Sequence, residues 1–480
     1  MLLAIVFVLL LSLLIVLFVP ACNPTLVKKI GLFSSFLVLW LTILCWGSHV
    51  PNSYFQSNDL AYWVDTATSS LKWGPVQFGL DEISTPFVLL TALLTPVCII
   101  VSWTTVRHLV REFVFCLLAI HLLLIGVFTS LNVLVFYILF EVILIPMFII
   151  IGVWGSRKER ERAAYYFFFF TLAGSLLMLL SIFVLYVVTG TLDYQLLVDT
   201  NIPPSIQIWC FLGFFFSLAV KVPKIPFHIW LPQAHVEAPV AGSVILAGIL
   251  LKLGGYGFIR FSWGLFPDAS QYFSPMIMTL SALAVIYASL STCRQTDAKR
   301  LVAYSSVAHM GIVTIGIFSK TIEGIMAAVI LMIAHGLVSS GLFIMVTNLY
   351  DRFHTKLIRY YRGATYTMPI FSLLFFALIL ANIAFPISLN FIGEFFSIVS
   401  AIQFSWVAIV GPLFGIVLSA AYSLAFYNKV VFGHPSQFTL VTRDLTRREF
   451  VSPILLIALT VVLGLAPVSI MASYASPFLI

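Results

Sequence analysis

Ionisable side chains interrupt several long apolar stretches of this 480-residue chain. Glu141 stands in FYILFEVILIPMF, Lys252 in VILAGILLKLGGYGF and Glu394 in ISLNFIGEFFSIVSA, and Lys221 and Lys224 directly follow IQIWCFLGFFFSLAV. A charged group costs about 2.5–3.5 kcal/mol at the centre of a membrane helix, so such groups pair with one another or line a route for protons or ions. The structural alternative is a set of interhelical ion pairs that only fix the packing. We favour a route for protons or ions, because two carboxylates and several lysines each lie near the middle of a different helix or at a break.

Histidines add further titratable groups to the same stretches. The apolar spans and their flanks contain His121, His228, His309 and His335. Imidazole is the side chain that most readily gains and loses a proton near neutral pH. A single histidine in an apolar helix is nevertheless often only a hydrogen-bonded core residue, and we expect that role for His121. His309 and His335 fit either role.

The overall composition identifies the surroundings of these groups. The chain is 61% hydrophobic and only 9% charged, whereas soluble domains carry about 25% charged residues. Its six cysteines are scattered and form no C-x-x-C pair, which argues against iron–sulfur, zinc and disulfide sites. The formal net charge of +7 raises the possibility of nucleic-acid binding, which the positions of the basic residues must decide.

The hydropathy pattern divides the chain into apolar spans long enough to cross a membrane. Spanning segments must be helices, because lipid offers no partners to unpaired backbone groups. The sequence therefore predicts an all-α membrane protein with about 14 transmembrane helices. The predicted spans lie near 2–20, 30–47, 85–106, 113–129, 131–154, 164–190, 205–234, 239–261, 272–292, 301–319, 322–350, 367–402, 405–432 and 452–473.

The basic residues support this division. If the N-terminus is outside and the crossings alternate, the outside loops hold only Lys72, Arg260 and Lys320 among the 25 Lys and Arg residues. Such an asymmetry follows the positive-inside rule. It places both termini and the loop at about 48–83 on the basic-poor side and excludes nucleic acid as a partner. It also indicates that the basic run RKERER is a topology anchor, with a partner-binding surface as the alternative. The basic-rich side holds Lys28, Lys29, Arg107, Arg111, Arg157, Lys158, Arg160, Arg162, Arg294, Lys299, Arg300, Arg352, Lys356, Arg359, Arg362, Lys429, Arg443, Arg447 and Arg448.

Prolines predict that two of the spans are discontinuous. Pro223 and Pro226 each remove a helix hydrogen bond, so the seventh span should break near 222–226. Pro386 should break the twelfth span shortly before Glu394. Five crossings separate the two breaks, so the broken helices run in opposite directions, as two inverted five-helix repeats require. The predicted units are 1–112 (helices 1–3 and an outer loop), 113–262 (first repeat), 263–433 (second repeat) and 434–480 (a loop and the last helix).

Four stretches resemble one family closely. LAVKVPKIPFHIWLPQAHVEAPVAGSVILAGILLKLGGYGFIRFS, LFEVILIPMFIIIGVWGSR, YSSVAHMGIV and LNFIGEF are similar to the subunit 4 family of respiratory NADH:ubiquinone oxidoreductase, complex I. The resemblance runs from about residue 80 to residue 430. It implies an antiporter-like fold of fourteen helices, with two inverted five-helix units and an axis of buried charges at mid-membrane.

The resemblance also implies roles for individual residues. Glu141 matches the glutamate of the fifth helix, Lys221 its lysine partner at the break, and Lys252 the central lysine of the eighth helix. Glu394 matches the terminal acid of the twelfth helix, where the other antiporter-like subunits typically have lysine. Lys224 departs from the family pattern, and we expect it to be a local charge facing the outer side or the membrane interface.

The resemblance further implies the surroundings of the chain. Flavin, iron–sulfur clusters and quinone are expected in partner subunits, with no cofactor or metal in this chain. The expected partners are other membrane subunits of complex I, including neighbouring antiporter-like subunits, and lipids. The implied location is the mitochondrial inner membrane, with a bacterial plasma membrane as the alternative.

The predicted function is proton translocation coupled to electron transfer in other subunits. A Glu–Lys pair at about 4 Å contributes about 4 kcal/mol at an effective dielectric constant near 20, enough to change the protonation of a buried lysine. In this hypothesis Glu141 holds Lys221 protonated until a charge shift from the neighbouring subunit weakens the pair. The proton then passes through Lys252 toward Glu394, with His228, His309 or His335 and water as carriers. A sodium/proton antiporter subunit and a passive membrane scaffold are the alternatives.

Overall fold

The computed structural model describes residues 1–20, 22–47, 61–64, 76–435 and 442–467. Most of the predicted outer loop at 48–83, including Lys72, lies outside the described residues, and so does the chain after residue 467. Statements about the faces of these segments therefore stay predictions.

The described part of the chain is almost entirely helical, as the sequence predicts. A small antiparallel ribbon pairs β1 (Ala61–Val64) with β2 (Val76–Phe78). The α-helices of the described residues are Leu2–Phe18 (α1), Pro24–Gly47 (α2), Thr85–Thr105 (α3), Val110–Thr129 (α4), Val133–Val142 (α5), Leu144–Trp154 (α6), Arg160–Thr189 (α7), Tyr194–Asp199 (α8), Pro204–Lys221 (α9), Trp230–Glu237 (α10), Val240–Ile245 (α11), Leu251–Gly257 (α12), Pro267–Cys293 (α13), Ala298–Phe318 (α14), Ile322–Phe353 (α15), Ala364–Thr367 (α16), Pro369–Asn382 (α17), Leu389–Phe404 (α18), Val410–Val431 (α19) and Arg447–Leu465 (α20).

Twelve helical segments of the described chain are long and apolar enough to cross a membrane. Two of these, Val240–Trp263 and α15, are enclosed by other helices over their whole apolar length, and α14 nearly so. Helices α2, α7 and α20 lie at the periphery and expose large apolar side chains such as Phe33, Val187 and Leu465. Apolar residues on the outside are suited to lipid, and the charged groups within the spans, such as Lys252 and Glu394, lie in the interior.

The two predicted breaks coincide with helix ends in the structure. Helix α9 ends at Lys221, and turns that include Pro223 and Pro226 lead to α10. Helices α17 and α18 are separated by residues 383–388. Within that segment Ala384 and Ile387 have φ angles of 62° and 98°. A positive φ is strained for a β-branched residue such as isoleucine. The packing around the break must therefore stabilise this backbone conformation.

A third interruption was not predicted. The span Val133–Trp154 is divided at Ile143 into α5 and α6. Pro146 lies in the first turn of α6 and cannot donate a backbone hydrogen bond to the preceding turn. Glu141 therefore stands beside a local interruption of its helix, just as Lys221 and Glu394 stand beside theirs.

The helix that carries Lys252 contains two wide turns. Residues Leu246–Leu250 and Phe258–Trp263 are π-helical, and α12 lies between them. Such π-helical turns are rare and occur often at functional sites. The first of them ends just before Lys252 and directs the backbone carbonyl group of Ala247 toward its side chain.

Candidate functional site

Lys252 and His335 form a direct contact at the centre of the bundle. The Lys252 Nζ atom lies 2.9 Å from His335 Nδ1 and donates a hydrogen bond of 2.5 Å to the carbonyl oxygen of Ala247 in the first π-helical turn. The Lys252 side chain is fully buried, and His335 is 2% exposed. The amine is therefore buried away from bulk water, and the titratable group in direct contact with it is the His335 imidazole.

His309 and Glu394 extend this contact across the second half of the chain. The rings of His335 and His309 have centroids 5.6 Å apart, and His309 Nδ1 lies 2.9 Å from Glu394 Oε1. Lys252, His335, His309 and Glu394 thus form a continuous row of buried titratable groups, which we call the central row. Four of the seven predicted site residues meet in it.

Close helix contacts at glycines bring the members of the central row together. A Cβ atom added to Gly336 would lie 3.0 Å from the carbonyl oxygen of Gly248, so α15 approaches the π-helical turn closely beside His335. A Cβ atom added to Gly393 would lie 2.7–2.9 Å from atoms of Leu331. Glu394 follows Gly393, so this close approach of α18 to α15 positions the carboxylate for His309.

The central row suits proton transfer because its members cannot all be charged. The Lys252–His335 hydrogen bond requires that one of the two nitrogens carries a lone pair. The His309–Glu394 contact is a charge-assisted hydrogen bond between two ions when His309 is protonated and Glu394 is ionised. Moving a proton along the row changes which contacts are favourable, so the protonation states of neighbours are coupled.

Glu141 and Lys221 are neighbours without a direct ion pair. No Glu141–Lys221 contact within 4.0 Å occurs in the described chain, and neither the carboxylate oxygens nor Lys221 Nζ has a hydrogen-bond partner there. The Lys221 Nζ atom instead lies 4.4 Å from the ring centroid of Phe140, a cation–π contact. The Ser175 hydroxyl is near Glu141 but donates to the carbonyl oxygen of Leu172. The predicted pair is therefore a looser electrostatic arrangement than a salt bridge.

Two predicted histidines lie outside the central row. His228 packs edge-on against Tyr287 and Tyr304, with ring centroids 5.6 and 6.2 Å away, and within the described residues it forms no hydrogen bond or ring contact with the row. His121 is buried as predicted, but the expectation that it is hydrogen-bonded is wrong, since neither ring nitrogen has a partner among the described residues.

The expected position of Lys224 is also wrong. Its side chain is 2% exposed and points into the bundle, where Nζ donates a 3.0 Å hydrogen bond to Ser281 Oγ. The turns after α9 direct it inward, toward α13, rather than toward the outer surface or the membrane interface. Sequence reasoning failed here because the break leaves the orientation of the following residues undetermined.

The sequence predicted Arg260 in an outer loop, but the structure shows it within a helix. It lies in the second π-helical turn, is buried, and forms an ion pair with Asp81. Its guanidinium also faces the rings of Tyr194 and Tyr256 at 5.0 and 5.6 Å. This cluster fixes the segment before α3 to the end of the Lys252 helix, and the positive-inside pattern alone gave no sign of the burial.

Sequence reasoning missed His235. Its ring stacks on Phe343 with a centroid distance of 4.5 Å, and both ring nitrogens are buried without a partner in the described chain. It interacts electrostatically with Lys252 and with Lys299 on the basic-rich side. The sequence did contain a signal for His235, because this residue lies in the stretch AHVEAP. It also lies between two prolines, however, and such a segment is typical of an ordinary turn.

A second polar cluster lies on the basic-rich side, next to the end of α10. Lys356 Nζ donates hydrogen bonds to Ser156 Oγ at 2.7 Å and to the carbonyl oxygen of Val236 at 2.5 Å, and it lies 3.4 Å from Glu237 Oε1. Burial lowers the pKa of Lys356 to about 8, against the opposing effect of the Glu237 carboxylate. This contact joins the loop after α15 to the loop after α6 and to α10.

Comparisons with a family model and with known proteins point to the same family. A family model described as "NADH:quinone oxidoreductase/Mrp antiporter, TM" matches residues 130–419. The chain is 54% identical over 449 residues to NADH-ubiquinone oxidoreductase chain 4 of Metridium senile, covering 94% of this chain and 91% of that one. It is 47% identical over 441 residues to the chain 4 protein of Arabidopsis thaliana, covering 91% and 87%.

Solved structures share the fold over nearly the whole chain. A chain of respiratory complex I from Thermus thermophilus with bound NADH superposes with a TM-score of 0.87 at 28% identity, covering 98% of this chain and 97% of that one. A chain of the Mrp complex from Dietzia sp. has a TM-score of 0.85 at 17% identity, covering 98% and 96%, which demonstrates a shared fold alone. Together with the sequence matches, these likenesses mean that the chain belongs to the chain 4 family of NADH:ubiquinone oxidoreductase, within the NADH:quinone oxidoreductase/Mrp antiporter family.

Proposed function

We propose that this chain translocates protons across the mitochondrial inner membrane as an antiporter-like membrane subunit of NADH:ubiquinone oxidoreductase. The electron-transfer groups of that enzyme are flavin, iron–sulfur clusters and quinone, and they belong to partner subunits. The chain lies beside other membrane subunits of the complex, including antiporter-like neighbours, and its apolar periphery contacts lipid. The observation that carries the proposal is the central row, in which Lys252, His335, His309 and Glu394 follow one another in the interior.

The proposed path begins at Glu141 and Lys221. A change in charge at Glu141 alters the energy of a proton on Lys221, whose ammonium the Phe140 ring also stabilises. The proton then moves through water to Lys252 and along the central row to Glu394. We include His228 only as a carrier beside the path, because its contacts are with Tyr287 and Tyr304.

We also propose the finer architecture. The twelve long apolar segments, together with α1 and the broken pair α17 and α18, correspond to fourteen crossings. The units are residues 1–112, 113–262, 263–433 and 434–480, and the middle two are inverted repeats. Cysteine-accessibility labelling tests the topology: residues 157–162 should be reached from the side opposite to the C-terminus, and labelling of both from one side would contradict fourteen crossings.

Two other functions are less well supported. A subunit of a sodium/proton antiporter would share the fold, but the high identity to chain 4 proteins favours the oxidoreductase. Co-purification with flavin and iron–sulfur subunits distinguishes the two. A passive scaffold would gain nothing from a row of buried titratable groups, since each is costly in the membrane interior.

Substitution of Lys252 tests the proposed function. In the assembled complex, Lys252→Met should lower proton translocation in vesicles while NADH oxidation by an artificial acceptor continues, because electrons enter through other subunits. Lys28→Met is the matched control: Lys28 is also a buried lysine, but it donates to the carbonyl oxygens of Trp103 and Val106 at the end of α3. Wild-type translocation by assembled Lys252→Met would contradict the proposal.

A further inference from the structure

Lys224 is a buried amine that the central row does not use. It lies three residues after Lys221 in the break between α9 and α10, with 2% of its surface exposed. Its Nζ atom donates one hydrogen bond, to Ser281 Oγ on α13 at 3.0 Å. No carboxylate lies within 4.0 Å of it in the part of the chain that the structure describes.

Three aromatic rings surround the Lys224 amine. The ring centroids of Phe215, Phe258 and Phe318 lie 5.6, 5.6 and 5.8 Å from Nζ. A buried ammonium without an anion is costly, and the faces of aromatic rings offset part of that cost. The site therefore accommodates the charged form without fixing it by a salt bridge.

The same site accommodates the neutral amine. Ser281 also receives a hydrogen bond from Thr314 Oγ1 at 2.9 Å and donates one to the carbonyl oxygen of Ile277 at 2.6 Å. Hydroxyl groups both donate and accept and can rotate, so Ser281 can donate to Lys224 once the amine has lost its proton. Either protonation state of Lys224 thus has a partner.

The hydroxyl pair links Lys224 to the helix of the central row. Thr314 follows His309 by five residues on α14, a rise of about 7.5 Å along the helix. The contact joins the break after α9, in the first proposed repeat, to α13 and α14, in the second. It lies on the side of His309 toward the end of α14 at Phe318.

We propose that Lys224 is an additional proton-binding residue of the translocation path, which gains and releases one proton in each cycle beside Lys221 and the central row. When the proton leaves Nζ, the neutral amine accepts the hydrogen bond of Ser281, and the aromatic rings lose a cation–π contact. This inference rests on the proposed function of the chain.

Three substitutions test the proposal in the complete complex reconstituted in vesicles, with the rate of proton translocation per assembled complex as the readout. Lys224→Met removes the titratable group. Lys224→Arg keeps the charge but cannot release it. Ser281→Ala removes the hydroxyl partner, and Ser289→Ala is its matched control, because the Ser289 hydroxyl on the same helix donates only to the carbonyl oxygen of Val285.

We expect both Lys224 variants to lower the rate of translocation by about a hundredfold, the lower end of the range for loss of a positioned proton-transfer group. Ser281→Ala should cause a smaller loss, and Ser289→Ala none. Full translocation by Lys224→Met, or full rescue by Lys224→Arg, would overturn the proposal, since the residue would then be dispensable or only a fixed charge. If the Lys224 variants fail to assemble, wild-type translocation by Ser281→Ala overturns it.

The same assay separates this inference from the proposed function. Lys252→Met serves as the reference, because it removes the first member of the row without changing the residues that contact Lys224. Loss of translocation in Lys252→Met together with wild-type behaviour of Lys224→Met refutes the Lys224 inference alone. Wild-type behaviour of Lys252→Met refutes the proposed function whatever Lys224→Met does.

Discussion

The Lys252 Nζ and His335 Nδ1 atoms lie 2.9 Å apart in the interior of the bundle. A lysine ammonium donates to an imidazole only if that imidazole nitrogen is unprotonated. Two positive charges at this distance in an interior of low dielectric constant would repel each other strongly. Simultaneous charge on both groups is therefore unfavourable, and in the proposed path this repulsion would drive a proton onward to His309.

His335→Gln should interrupt the central row at this contact. Glutamine retains hydrogen-bonding groups but cannot bind a proton in the working pH range, so we expect proton translocation per assembled complex to fall by about a hundredfold, the usual scale for loss of a general acid–base group. Thr347→Val on the same helix is the control, because the Thr347 hydroxyl donates only to the carbonyl oxygen of Phe343. Equal translocation by both variants would remove His335 from the path.

Glu141→Gln and Lys221→Ala should each impair proton translocation and coupled quinone reduction. NADH oxidation by an artificial acceptor should persist, because electron entry uses other subunits. Phe140→Leu should have a smaller effect in the same direction, since it removes only the cation–π contact with Lys221, of about 0.5–2 kcal/mol. If Glu141→Gln and Lys221→Ala assemble and translocate at the wild-type rate, these residues are structural charges.

The Asp81–Arg260 ion pair should stabilise the fold rather than move protons. Asp81→Asn leaves a buried guanidinium without its anion, and we expect a loss of about 3–5 kcal/mol in stability. Translocation per assembled complex should stay unchanged. Glu112→Gln is the control, because the Arg111–Glu112 pair is 35% and 40% exposed and contributes about 0–1 kcal/mol. Thermal unfolding of both variants in detergent is the measurement, and equal unfolding temperatures would contradict the structural role.

Lys356 should make stability depend on pH in a defined window. Its pKa in the folded chain is about 8, below the ordinary value of 10.5, so between these values the folded state binds fewer protons than the unfolded state. Stability from this group therefore rises as the pH increases from about 8 to 10.5. The unfolding temperature of the wild type, relative to Lys356→Met, should rise across that window. A Lys158→Met variant, which changes an exposed lysine, should show no such trend, and a flat difference for Lys356→Met would contradict the assignment.

The sequence predicted the all-helical membrane class and the two proline breaks because these depend on local properties. Apolar length decides whether a helix crosses lipid, and Pro223 and Pro386 remove specific hydrogen bonds wherever they lie. The interruption beside Glu141 was missed, although Pro146 was a local signal for it. The resemblance also named Lys252 and Glu394, which lie in one buried row with His335 and His309.

The sequence could not predict contacts that depend on how helices pack. Whether Lys221 meets Glu141 or the face of Phe140 depends on a few ångströms of helix position, and hydropathy does not contain this information. The inward orientation of Lys224 depends on the turns after α9, and the burial of Arg260 depends on Asp81, 179 positions earlier in the chain. The contacts of His309 and His335 likewise depend on how α14, α15 and α18 pack against one another.

Proton translocation by two variants of Glu394 tests the central row most directly. Glu394→Asp keeps an acid with a shorter reach, whereas Glu394→Gln keeps the shape and a hydrogen bond to His309 but cannot bind and release a proton. If the row carries protons, complexes with Asp in vesicles should retain substantial translocation per assembled complex and those with Gln should lose most of it. Equal or better translocation with Gln than with Asp would contradict the account, because Glu394 would then serve packing and the protons would leave by another route.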